Sequence, residues 1–293
     1  MRSPLTVVGR VAMAALVVAA VLAVPTSGSA APAPNATSSG ASVSRSAVPA
    51  RVLPPVNATA DYQLGGAYAP ARGVTLVTRD VTDSPARGVY SICYVNAFQT
   101  QPELRLWWLT KHPTLVLRDA RGRVVTDPGW PGEMLLDTST SAKRASLAAI
   151  MRVWFTRCAT AGYRAVEPDN LDSWSRSAGR LTLRQNAAYA ALLSARAHAL
   201  GLAIAQKNDT DMLALRSTTR FDFAVTEECQ VYAECSAFTR VYGRHVVEIE
   251  YTDNGGRTNF AKACSARGSS ISIVYRDRNL VPRGAAGYVY STC

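Results

Sequence analysis

Two clusters of carboxylates each end an apolar run in this 293-residue chain: Glu167-Pro168-Asp169-Asn170-Leu171-Asp172 follows Ala165-Val166, and Glu227-Glu228 follows Phe223-Ala224-Val225. Two carboxyl groups facing each other across a cleft can break a glycosidic bond, because one protonates the leaving oxygen while the other attacks the sugar or activates water. Other catalytic equipment is missing from the sequence. There is no GxSxG nucleophile elbow, no GxxxxGKS or GxxxxGKT phosphate loop and no GxGxxG after the first strand. His112, His198 and His245 are the only histidines and the six cysteines contain no CxxC pair, so neither a metal site nor a cofactor is expected.

Groups with these roles must be held by regular elements. From residue 61 onward eight short β-rich runs recur, at 62–66, 75–80, 90–97, 163–167, 202–207, 221–227, 246–251 and 270–275. Helical periodicity is clearest over 142–160, over 182–200 behind the N-cap candidate Thr182, and over 259–265. Strands alternating with helices imply parallel βα units. Eight units in about 233 residues predict an α/β fold, a single-domain (β/α)8 TIM-like barrel, ahead of a doubly wound open sheet. Residues 115–140, rich in Gly, Pro and Asp, are expected as a long loop near one end of the barrel.

In such a barrel the chemistry comes from the carboxyl ends of the strands, and those ends are polar here. They carry Asp80, Asn96, the 167–172 acids, Lys207, Glu227, Glu228, Glu250 and Tyr251, while Asp253, Asp277 and Arg278 read equally well as solvated loop charges. Side chains alternate along a strand. Ala165, Glu167 and Asp169 therefore share one face, and Ala224, Thr226 and Glu228 share another. If small residues line the interior and Phe223 and Val225 face the helices, Asp169 and Glu228 point into the cleft. A strand-end bulge would substitute Glu227.

Six segments together resemble glycoside hydrolase family 114, the endo-α-1,4-polygalactosaminidases: Tyr62-Gln63-Leu64-Gly65-Gly66, Cys93-Tyr94-Val95-Asn96, the 167–172 cluster, Gln206-Lys207-Asn208, Glu227-Glu228-Cys229 and Ile249-Glu250-Tyr251. They follow one another in register over nearly the whole of residues 61–293. The resemblance implies a TIM-like barrel that cleaves within α-1,4-linked galactosamine chains, using Asp169 and either Glu227 or Glu228. De-acetylated galactosamine is a cation, which a cleft lined by Glu167, Asp169, Asp172, Glu227, Glu228 and Glu250 would attract. Asn96, Asn170 and Asp80 are further candidate sugar contacts. Trp174, Tyr251 and Tyr94 could stack on sugar faces or pack in the core. Lys207 could hold a carboxylate ionised, bind a substrate oxygen, or form a structural ion pair with Glu167 or Glu228. A barrel that binds the glycan without cleaving it is the alternative, and an esterase or deacetylase lacks its motifs.

Composition sets the compartment and the partners. With 48% hydrophobic and 18% charged residues the chain can bury a core. Its net charge of +11 is not gathered into an arginine-rich run or basic helix, so a nucleic-acid partner is not expected. Arg2 and Arg10 flank the start of an apolar run over 11–24, which Pro25 and a small-residue site ending at Ala30 follow, the pattern of a cleaved secretory signal peptide over 1–30. The run is too short for a membrane anchor. Residues 31–60 hold twenty Ala, Pro, Ser or Thr and no acid or aromatic, which predicts a disordered leader before a domain over 61–293. Secretion would oxidise the cysteines. Sequence proximity suggests Cys229–Cys235 and Cys264–Cys293, leaving Cys93–Cys158. The expected partner is therefore a cationic polysaccharide outside the cell, with no membrane insertion after cleavage and a monomeric enzyme.

Overall fold

Each β-rich run becomes a strand of one sheet, and the sheet nearly closes on itself. The computed structural model describes residues 50–293; the expected signal peptide and residues 31–49 of the expected leader lie outside the described residues. The strands are β1 (Ala60–Gln63), β2 (Leu76–Asp80), β3 (Tyr90–Asn96), β4 (Ala165–Asp169), β5 (Ala203–Lys207), β6 (Phe223–Glu227), β7 (Val246–Tyr251), β8 (Ser272–Arg276) and β9 (Tyr290–Thr292). The helices are α1 (Arg105–Lys111), α2 (Ser141–Ala161), α3 (Leu183–Ala199), α4 (Arg216–Thr219), α5 (Cys235–Tyr242) and α6 (Gly256–Arg267). Strands β1 to β8 pair in parallel in sequence order, and β9 adds antiparallel to β8. The expected barrel forms, with β9, α1, α4 and α5 beyond what the sequence predicted.

Local chemistry sets the helix limits. Thr140 accepts the Lys143 amide at the start of α2, and Gly162 ends it at φ 103°, a left-handed position that glycine takes without strain. Thr182 and Gln185 cap α3 reciprocally. No helix follows β1 or β2. The outer wall there carries a buried polar chain instead, with Arg79 donating to Gln63 at 2.9 Å and Gln63 to Asp61 at 2.7 Å. Arg276 closes the seam between β8 and β1 by donating to the Tyr62 carbonyl and pairing with Asp61 at 3.3 Å.

The interior is filled by Ala60, Tyr62, Leu76, Ile92, Ala165, Ala203, Ala205, Phe223, Val225, Val247, Ile249, Tyr251 and Val274. This reverses the expected face of β6. Phe223, Val225 and therefore Glu227 point inward, while Ala224 joins the helix-side core with Phe238 and Tyr242. The small residues Ala165, Ala203 and Ala205 of β4 and β5 leave the room that Phe223 occupies, so size alone did not mark the inner face of each strand. Proline at 168 has no N–H to give, and the ladder between β4 and β5 runs only through Ala165 and Val166. The two strands part where Glu167, Asp169 and Lys207 stand.

Residues 51–60, expected within the leader, are packed. Arg51 reaches Asp222 at 3.0 Å, Val52 O accepts from Tyr90 at 2.6 Å, Pro54 O lies 3.1 Å from His245 Nδ1, and Ala58 N donates to Ser272 Oγ at 2.9 Å. All four partners stand where strands enter the barrel, so this segment floors it. A chain beginning at Thr59 is expected to be about 2–4 kcal/mol less stable than one beginning at Ala50, from four lost hydrogen bonds and the exposed floor. That corresponds to a melting temperature lower by roughly 5–10 °C in a thermal scan; coincident melting curves would refute it.

The disulfides are Cys229–Cys235 and Cys264–Cys293, as sequence proximity suggested, and Cys93–Cys158, the pair it left over. Residues 115–140 are more than a loop. Antiparallel bridges Val116 to Leu136, Arg118 to Val124 and Thr126 to Met134 fold them into a small lobe, and Gln99 to Leu135 anchors it beyond β3.

Candidate active site

Three strand ends meet around one ammonium. The Lys207 side chain, at the end of β5, is 1% exposed. Its Nζ lies 3.0 Å from Glu167 Oε1, 3.5 Å from Asp169 Oδ1, 3.3 Å from Glu227 Oε2 and 3.0 Å from the Tyr62 hydroxyl. Each carboxylate also has its own tyrosine: Tyr62 donates to Glu167 at 2.6 Å, Tyr94 to Asp169 at 2.7 Å and Tyr251 to Glu227 at 2.6 Å. Backbone turns complete the set. Asn170, at φ 66°, gives its N–H to Asp169 Oδ1 at 2.7 Å, and Asn208 donates to Glu227 Oε2 at 3.0 Å while accepting the Glu227 N–H at 2.7 Å.

The charge states follow from this geometry. Burial works against the Lys207 ammonium, but Asp169, Glu227 and Glu167 outweigh it and raise its pKa well above the usual value. Burial pushes Glu167 up, and Lys207 and Tyr62 only partly compensate. For Glu227 the balance goes the other way: burial pushes up, but Lys207 and the hydrogen bonds from Tyr251 and Asn208 hold the carboxyl below its usual range. One cation thus serves three carboxylates.

Asp169 and Glu227 line an open cleft of about 560 Å³, with Tyr94, Lys207, Tyr251, Asp80, Asn170 and Asp172 among its walls. Glu167 lies fully buried beneath it. Asn96 is buried too and acts one step back, accepting from Asn170 at 3.0 Å and donating to Glu133 at 2.8 Å. Glu228 does not line this cleft. Its backbone turns to φ 59° and its carboxylate pairs with Arg278, which also holds Asp253 at 2.9 Å. Both Glu228 and Trp174 line an adjoining cleft of about 390 Å³, where Trp174 Nε1 donates to Asp209 at 3.3 Å. Glu250 is not in the cleft at all. Val247, Ile249 and Tyr251 take the inward face of β7, so Glu248 and Glu250 point at the surrounding shell, where Arg267 binds Glu248 at 2.8 Å and the Gln230 N–H reaches Glu250 at 3.0 Å.

Several lining groups were not foreseen. Asp127, Trp130 and Glu133 come from the lobe over 115–140, and Arg176 ties Asp127 to Asp172 and Asn170 across the cleft wall. Composition marked that stretch as irregular but gave no periodicity to say which of its residues face inward. Asn208 and Tyr62 stood in the quoted motifs without a role, and Arg278 was legible only as a loop charge. Among the described residues one triad of potential metal ligands comes together, Cys229, Cys235 and Glu248. Its sulfurs are joined to each other and its carboxylate is bound by Arg267, so it has no thiolate to offer.

The displaced carboxyls have a consequence for stability. Burial raises Glu250 to about 8, helped by Glu248, raises Glu133 to about 7 against its bond from Asn96, and raises Asp209 to about 6. A folded-state pKa above the unfolded one makes a carboxyl stabilising when protonated, so this contribution is complete below the unfolded pKa and is lost as pH rises through about 6 to 8. Asp127, Asp137 and Glu227 are lowered and lose their contribution in acid, below the usual carboxyl range. The melting temperature is therefore expected to be higher near pH 5 than at pH 8.5, with a decline again toward pH 3. A profile rising steadily from pH 5 to pH 8.5 would contradict these assignments.

Comparison with known proteins adds the following. The family model for glycoside-hydrolase family GH114 matches residues 41–293. The structure of Aspergillus fumigatus Ega3 in complex with galactosamine superposes with a TM-score of 0.66 at 21% identity, covering 83% of this chain and 98% of that one. The glycoside hydrolase domain of PelA from Pseudomonas aeruginosa gives 0.53 at 14% identity, covering 78% and 98%. No curated protein matches the sequence.

Proposed function

The chain belongs to glycoside-hydrolase family GH114, and on that premise we propose that it is a secreted, endo-acting enzyme that cleaves α-1,4-linked galactosamine-containing polysaccharide with Asp169 and Glu227. The observation that carries this reading is the sharing of one buried ammonium by two carboxylates that both line an open cleft. Asp169 takes hydrogen bonds from Tyr94 and the Asn170 N–H beside the Lys207 charge, which hold its carboxyl in the cleft for attack on the anomeric carbon or for activating water. Glu227 is the proton donor to the leaving oxygen. In the free protein it is ionised, but burial is the largest influence on it and acts upward. In this reading Glu227 takes up the proton it donates as substrate binds.

The cationic substrate is supported by the walls. Asp80, Asp127, Glu133, Asp169, Asp172 and Glu227 face Arg176, Lys207 and Arg278, an acidic excess at contact distance from an amino sugar. The surplus of basic side chains elsewhere is screened beyond about 8 Å at physiological salt. Three disulfides and the expected signal peptide over 1–30 support export. The leader is shorter than composition suggested, with the catalytic domain starting near residue 51.

The test is incubation of the purified chain from Ala31 with partly de-acetylated galactosaminogalactan, with mass spectrometry of the soluble products beside an Asp169→Asn control. Galactosamine oligomers from the wild type alone are expected. Oligomers from both, or from neither although the protein is folded, would reject the reading.

A further inference from the structure

Trp130 and Tyr232 are the two exposed aromatic side chains among the described residues, at 61% and 59%. A single exposed aromatic is ordinary on a protein surface. Here both belong to the walls of the two adjoining clefts, and to different ones. Trp130 lines the larger cleft and Tyr232 the smaller, while Asp172, Asn208, Glu227 and Arg278 line both. The two clefts therefore share Glu227 as a wall, with one exposed ring lining each.

Each ring is held. Asp127 Oδ1 accepts the N–H groups of Gly129 and Trp130, at 2.7 and 3.2 Å, while its other oxygen is bound by Gln99 and Arg176, so the tip of the lobe carrying Trp130 is pinned to the barrel. Tyr232 lies within the Cys229–Cys235 loop, gives its N–H to the Glu228 carbonyl at 3.1 Å, and receives the Asn254 amide on its hydroxyl at 3.4 Å. An aromatic ring fixed in a polar trough offers an apolar face to the C–H face of a pyranose, with little entropy left to lose.

We propose that Trp130 and Tyr232 are stacking platforms for sugar units on either side of the scissile bond, which hold a long chain across the site and make cleavage depend on chain length. The inference deepens the function proposed above and rests on it for the identity of the polymer, but not for the existence of the track. Both positions are exposed, so Trp130→Ala and Tyr232→Ala leave the core untouched.

The experiment measures kcat and KM for both variants and the wild type on de-acetylated α-1,4-galactosamine chains of graded length, from trimers to polymer. In parallel, affinity electrophoresis uses gels cast with that polymer, with chitosan and with galactan. Each variant is expected to raise KM for the polymer about five- to twentyfold with a much smaller change in kcat, and the loss is expected to shrink as the oligomer shortens. Unchanged polymer KM in both variants, or an equal loss on trimers, overturns the platforms. If the wild type cleaves no galactosamine chain, the function proposed above fails, and the gels decide the track separately. Retardation of the wild type in any gel that both variants lose supports it, and equal mobility of all three proteins in every gel overturns it.

Discussion

Glu227→Gln is expected to lower kcat/KM on galactosamine polymer by at least about a thousandfold, the range lost when a general acid is removed, while Glu228→Gln loses no more than about tenfold. The two neighbours differ in what they touch. Glu227 shares Lys207 with Asp169 and receives Tyr251 and Asn208 inside the cleft, whereas Glu228 is engaged by Arg278 beside it. Glutamine keeps the size and most of the hydrogen bonding of Glu227, so a melting curve close to that of the wild type should accompany the inactivity. Asp169→Asn should match Glu227→Gln in depth. A dead Glu228→Gln beside an active Glu227→Gln would reverse the assignment, and equal loss in both would refute the contrast between them.

Lys207→Met is expected to inactivate the protein and to cost about 3–5 kcal/mol of stability, the usual penalty for stripping a buried charge of its partner. Nζ is the contact that Glu167, Asp169 and Glu227 have in common, and Glu167 has almost no water to fall back on. Without the ammonium the three carboxylates repel one another in a low-dielectric barrel. A melting temperature lower by roughly 10 °C or more should follow for a domain of this size. The informative variant adds Glu167→Gln to Lys207→Met. It should recover most of the lost stability, since a neutral amide still accepts from Tyr62, without recovering turnover. A double variant as unstable as the single one would show that Glu167 is not where the penalty arises.

The sequence was most readable where one residue type can do only one job. Thr182 marks the cap of α3 and Pro168 stands between two carboxylates, and the strands expected over 163–167 and 202–207 appear within two residues of expectation. Facing was harder to read. On β7 the alternation of Val247, Ile249 and Tyr251 with Glu248 and Glu250 was visible, yet two acids near a strand end look like cleft residues until Arg267, nineteen residues beyond Glu248, supplies a cation on the other side. On β6 the preference for small residues inside failed because packing is shared between strands: alanines on β4 and β5 made Phe223 the better filler. The lobe over 115–140 rests on single bridges, the floor segment over 51–58 mostly on partners more than a hundred residues away, and β9 is only three residues long, so no local period records them.

The floor has a further consequence, for attachment. Residues 51–58 touch the entries of β3, β6, β7 and β8, and Cys293 is bonded to Cys264 near the end of α6, a helix that follows β7 back toward those same entries. Both ends of the described chain therefore lie on the side away from the mouth. A bead coupled through residue 50 or through the C-terminal carboxylate would present the cleft outward, with its two open flanks free for a dissolved polymer to pass across.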